Sequence, residues 1–200
     1  MENSLVDKDK IRVVALDFDG VITKLNIDWN SAIRQASQIA GYDIKSLLTF
    51  YETSQGTPIF HLISREMEKL ELEALKNAKP TPFLDEFLEK TSQAHVETYL
   101  VSMQSASVVQ KFLKEHNLEH YFKGIFTRET FPSKKAEVNH ILDCLGLKPK
   151  EVLLVDDSRT NVTQCKELGV KCFCFKTSQD ADAVRKMWHA INEMVQENNT

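Results

Sequence analysis

Two short acidic stretches carry the chemistry that this sequence advertises. LDFDGVIT (residues 16–23) closes an apolar run with Asp17 and Asp19, followed at once by Gly20. EVLLVDDS (151–158) closes another with the adjacent pair Asp156 and Asp157. In an extended strand, Asp17 and Asp19 point to one side and Phe18 to the other, and Gly20 permits a tight turn. Carboxylates at the end of a buried strand are costly unless something binds them. Four at one sheet edge would repel, and a hard divalent cation is the natural remedy; oxygen-only ligands without nearby Cys or His favour Mg2+. Ser102 ends a further apolar run, LVSMQS, where its hydroxyl and the following N–H groups of Met103 and Gln104 can hold an anion. Lys134 and Lys135 open a helical pattern directed at the same edge. Acids, a metal, a hydroxyl and a lysine together make a set suited to phosphoryl transfer.

Five dense apolar runs must position these groups: IRVVALDF (11–18), VETYLVSM (96–103), GIFTRE (124–129), EVLLVDD (151–157) and VKCFCF (170–175). Helical patterns alternate with the later runs, which predicts a Rossmann-like α/β core: a parallel five-stranded sheet with helices on both faces. Residues 24–79 interrupt this rhythm with NSAIRQASQIAG, IKSLLTFYETS and PIFHLISREMEKLELEALKNA, all helical in pattern. They read as a small all-helical cap inserted after strand 1, above the carboxyl edge where open α/β sheets bind ligands. Residues 11–23 and 80–200 then form the core, with a C-terminal helix at about 180–197 and residues 1–10 as a solvated tail. The stripe Val184, Met187, Trp188, Ile191, Met194 and Val195 on that last helix is expected to dock on its own core, with a homodimer contact as the alternative to a monomer.

A net charge of −4 offers no footprint for nucleic acid. No apolar run approaches the roughly 20 residues of a membrane span, and the first ten residues lack a secretory signal. Cytoplasmic placement follows, with Cys144, Cys165, Cys172 and Cys174 expected as reduced, buried thiols.

Taken together, DFDGVIT, LVS (100–102), KKAEV and VDDS (155–158) resemble, in order, the four motifs of the haloacid dehalogenase (HAD) superfamily. The resemblance spans Ile11–Thr23 and about Pro80–Phe175. It implies the C1-capped phosphatase type, which includes phosphoglycolate phosphatase-like and β-phosphoglucomutase-like members, and a sheet in which the second and fourth strands flank the first. It further implies Asp17 as nucleophile, Asp19 as acid/base, and Mg2+ held by Asp17, the Asp19 backbone carbonyl, Asp157 and Asp156. Ser102 and Lys135 would bind phosphoryl oxygens, with Gly20, Met103 and Gln104 as substrate-binding positions. Lys135 is preferred over Lys134 because Val138, Ile141 and Leu142 then fall where related helices bury apolar residues. The sequence departs from the pattern at Met103, often Asn, Gly or Thr, and at Asn161, often an acid.

The implied activity is Mg2+-dependent hydrolysis of a small phosphorylated metabolite through an aspartyl-phosphate. Asp19 argues against a dehalogenase, which has no leaving alkoxide to protonate. A phosphomutase and a non-catalytic phosphate-binding module on the same fold are the alternatives. A signalling receiver domain fits worse, since GIFTRE ends in Arg128–Glu129 rather than a phosphorylated Asp. In the cap, Trp29, Tyr51, Phe60, His61 and Arg65 are the residues to watch, each with core packing or a solvated face as its plainer role.

Overall fold

A computed structural model describes residues 10–176 and 178–196. The predicted tail is thus outside the described residues except for Lys10, which is exposed. Among the described residues five strands are present: β1 (Val13–Leu16), β2 (Glu97–Ser102), β3 (Phe122–Thr127), β4 (Val152–Asp156) and β5 (Lys171–Cys174). All pair in parallel, in the order β3-β2-β1-β4-β5. The second and fourth strands flank the first, as expected.

Burial on both faces explains the unbroken apolar strands. Alternate residues of β1 supply two cores. Val14 and Leu16 join Leu100 and Val155 against α4 (Leu84–Gln93), α5 (Ala106–Glu115) and α8 (Ala181–Gln196). Val13 and Ala15 join Val101 and Leu154 against α6 (Lys134–Leu145) and α7 (Arg159–Lys166). The stripe on α8 docks on the first of these cores: Trp188 stacks on Phe87 with ring centroids 4.6 Å apart, and its indole N–H donates to the Pro82 carbonyl at 3.0 Å.

The third strand is displaced from its expected span, 122–127 instead of 124–129. Arg128 and Glu129 leave the ladder because Arg128 turns into the helical insertion. The thiols also depart from the expectation of uniform burial. Cys165 is buried, Cys172 and Cys174 are partly covered, and Cys144 is exposed on α6.

Between β1 and α4 lie three further helices, α1 (Trp29–Ala40), α2 (Leu47–Ser54) and α3 (Pro58–Leu75). Ala32, Ala36, Leu47, Phe50, Phe60, Ile63 and Met67 give them a core of their own, joined by Met103 from the loop after β2. At their root the chain leaves and returns side by side. Thr23 bridges Pro80, its hydroxyl donates to the Lys79 carbonyl at 2.8 Å, and the Thr81 N–H donates to the Ile22 carbonyl at 2.8 Å.

Candidate active site

Strand register assembles the site. Leu16 pairs with Val155 on one side and Leu100 on the other, so Asp17 emerges level with Asp156 and Val101. Asp17 is held there by its N–H, which donates to the Val155 carbonyl at 2.9 Å. Gly20 then turns the chain with φ +91°. Any Cβ at this position would collide with the Asp157 carboxylate, so glycine is required by space as well as by backbone angle. The turn brings the Asp19 carboxylate under the Leu25 N–H, which donates to it at 2.7 Å.

Oxygens of Asp17, Asp156 and Asp157 all lie within 4.8 Å of one another. Burial, compounded by the charge of Asp17, pushes Asp156 up to about 8 and Asp157 up to about 6. Asp156 is fully buried, and its carboxylate accepts from the Ser158 N–H at 2.8 Å and from the Asn161 amide at 3.1 and 3.2 Å. Burial likewise raises Asp19 to about 6, against the pull of the Leu25 N–H. An all-oxygen, like-charged triad of this kind fits a hard divalent cation. The Asp19 carboxylate is not part of the triad.

The lysine beside these acids is Lys134. Its ammonium is buried, donates to Asp17 Oδ1 at 2.9 Å and to the Val101 carbonyl, and lies 3.5 Å from Glu137 and 3.9 Å from Asp156. Burial opposes its charge, but the carboxylates of Asp17, Glu137 and Asp156 outweigh this and hold its pKa above the ordinary lysine value. Glu137 in turn accepts from the Ser102 N–H at 3.2 Å, and burial raises it to about 7.

A cavity of about 380 Å3 opens above this floor. Asp17, Asp19, Lys24, Lys134, Asp157 and Asn161 line its lower part, and α1 and α2 form the opposite wall.

Comparison with known proteins gives this arrangement a family. The family model for haloacid dehalogenase-like hydrolases matches residues 14–175. The chain belongs to this family. Among HAD-like hydrolases, the phosphoglycolate phosphatase of Vibrio cholerae is 26% identical over 192 residues, covering 82% of this chain and 83% of that one. Of solved folds, a HAD phosphatase from Thermococcus onnurineus superposes with a TM-score of 0.58 at 18% identity, over 85% of this chain and 88% of that one. CbbY from Rhodobacter sphaeroides, in complex with phosphate, superposes with a TM-score of 0.55 at 16% identity, over 81% and 84%.

Within this HAD-like hydrolase, the expected position of Lys135 must be corrected. Lys135 is on the surface, where it pairs with Glu167 at 2.7 Å, and Lys134 occupies the place beside Asp17. The Ser133 hydroxyl accepts from the Ala136 N–H and starts α6 at Lys134. Lys134 then shares a face with Val138 and Ile141, the most buried apolar residues of α6, and Lys135 is rotated about 100° away. The 134, 138, 141 spacing was the available signal; including Leu142, the least buried of the three, obscured it.

Ser102 is fully buried and turns its hydroxyl to Gln104, donating to Oε1 at 2.6 Å and accepting from the Gln104 N–H at 3.1 Å. It does not line the cavity, whereas Met103 and Gln104 do. Asn161, noted as a departure, is the residue that holds Asp156. Of the five residues singled out in the helical insertion, Trp29 and Tyr51 reach the cavity. Phe60 is buried in the insertion's core, and His61 and Arg65 face solvent. Sequence reasoning missed Glu137, Lys24 and Glu71, a buried acid that pairs with Arg128 and lines the cavity; only Lys24, directly after the first acidic motif, had a positional signal.

Proposed function

We propose that this HAD-like hydrolase is a cytoplasmic, Mg2+-dependent phosphatase of small phosphomonoesters. One observation carries the reading: a buried Asp17, fixed by the Lys134 ammonium at 2.9 Å, and a second acid of raised pKa, Asp19, line the same cavity. That is a nucleophile beside an acid/base. The relative from Vibrio cholerae, named a phosphoglycolate phosphatase, supports the reaction class.

An Asp17 carboxylate oxygen bonds to phosphorus as the ester P–O bond breaks, and Asp19 gives its proton to the departing alkoxide. Asp19 then takes a proton from water, whose oxygen displaces Asp17 and releases inorganic phosphate. Lys134 holds Asp17 in place and offers its charge to the phosphoryl oxygens, with the N–H of Met103 as a further donor. Asp17, Asp156, Asp157 and the Asp19 carbonyl would hold Mg2+, which supplies charge neutralisation between carboxylates and phosphate. Residues 24–79 serve as the cap over this site, and residues 11–23 and 80–200 as the catalytic core.

The test is turnover of p-nitrophenyl phosphate and a panel of phosphorylated metabolites in Mg2+. Asp17→Asn is expected to abolish turnover while circular dichroism stays that of the wild type. Wild-type turnover in the variant would refute the mechanism.

A further inference from the structure

The cavity over the acidic floor falls in the range of about 300–1,000 Å3 typical of small-molecule sites. Its two sides differ in chemistry. The floor is carboxylates and lysine. The wall facing it carries Trp29 and Ile33 from α1, Leu47, Leu48 and Tyr51 from α2, and Met103 from the loop after β2, together with the polar Lys45, Ser46, Glu71 and Gln104. Trp29 and Ile33 are four residues apart, and Tyr51 lies four after Leu47 and three after Leu48, so each helix turns a coherent apolar stripe to the cavity.

The cations available to a substrate's far end are few. Besides Lys134, the lysines lining the cavity are Lys24 and Lys45. Lys24 follows the first acidic motif and lines the cavity together with Asp19 and Asp157, so it belongs to the floor. Lys45 is largely exposed and already paired with Asp43. With the phosphoryl group on the floor, a leaving group that ends in a second anion would set that charge against the Trp29 and Ile33 side chains and beside the Glu71 carboxylate, which is unfavourable. A ring would displace water from the same surface, which is favourable.

Building on the phosphatase reading, we propose that the substrate is the phosphate ester of an apolar, ring-bearing alcohol seated on Trp29, in preference to that of a short hydroxy acid. In this respect the chain would differ from the relative named for phosphoglycolate.

The intact protein in Mg2+ is assayed with benzyl phosphate and 2-phosphoglycolate, and the binding of benzylphosphonate and phosphonoacetate is measured by calorimetry. Benzyl phosphate is expected to have the higher kcat/KM by about ten-fold or more. Trp29→Ala should cut that ratio by about ten-fold, and Trp29→Phe should restore most of it. Benzylphosphonate should bind more tightly than phosphonoacetate. Equal or better use of 2-phosphoglycolate, or a Trp29→Ala variant in which both activities fall together with the ratio unchanged, would overturn the proposal. No turnover of either ester with benzylphosphonate still preferred would defeat the phosphatase reading while sustaining the apolar selectivity.

Discussion

Two buried cations sit at the carboxyl edge of this sheet, and they are used in opposite ways. Lys134 is 1% exposed and Arg128 0%. Arg128 donates through Nε to the Ser64 hydroxyl at 2.8 Å, through one terminal nitrogen to Glu71 and the Met103 carbonyl, and through the other to the Ser64 carbonyl at 3.0 Å. Its guanidinium also lies over the Tyr51 ring, 5.4 Å from the centroid. Glu71 is buried as well, and its second oxygen accepts from the Ser105 N–H at 3.1 Å. Most of its partners come from α2 and α3, and Tyr51, Glu71 and Met103 among them line the cavity while Arg128 itself does not. Arg128 therefore fastens the helical insertion to the end of β3 and the loop after β2. Lys134 borders the cavity and is surrounded by the carboxylates of Asp17, Glu137 and Asp156, of which Asp17 faces the cavity too. A buried charge enclosed by fixed partners is a fastening, whereas one left at the wall of a cavity among excess charge of opposite sign is poised for a ligand.

The contrast can be broken by mutation. Lys134→Ala should have the largest effect on turnover, lowering kcat by about 10²–10³ in a steady-state assay. A drop of less than ten-fold would remove Lys134 from the reaction. Arg128→Ala should act on stability instead, by about 3–5 kcal/mol in urea denaturation, because it leaves Glu71 buried without its partner. Arg128→Met with Glu71→Leu should recover much of that loss. Full stability with abolished turnover in Arg128→Ala would place Arg128 with Lys134 rather than opposite it.

Asn161→Ala tests the support of the triad. Without its amide bonds to Asp156, the concentration of Mg2+ needed for half-maximal activity should rise about 10–100-fold. Lys135→Ala is the smallest change: turnover should remain within about two-fold of wild type, since the side chain pairs with Glu167 on the surface. A large loss there would restore Lys135 as the lysine of the site.

Much of the molecule was legible in the chain. Apolar strands ending in Asp17 and Asp156 reveal a sheet edge with chemistry, because alternation and burial fix which way strand residues point. The helical insertion was legible too, since residues 24–79 show helical period and no strand alternation. The choice between Lys134 and Lys135 was harder, because neighbouring helix positions differ by about 100° and the apolar stripe of α6 is broad enough to admit both.

The sequence by itself determined that the strands exist, though not the bounds of β3, together with the acid pairs that end two of them, the glycine that turns the first, and the helical insertion, since each follows from local period and side-chain chemistry. Tertiary structure alone decided the rest. Which lysine is buried depends on where the Ser133 cap starts α6 against the sheet. The pairing of Glu71 with Arg128, 57 residues apart, has no local signature, because a charge looks solvated until the fold closes around its partner. The apolar wall over the acids is of the same kind: Trp29 and Leu48 are ordinary helix residues until α1 and α2 are set over the floor.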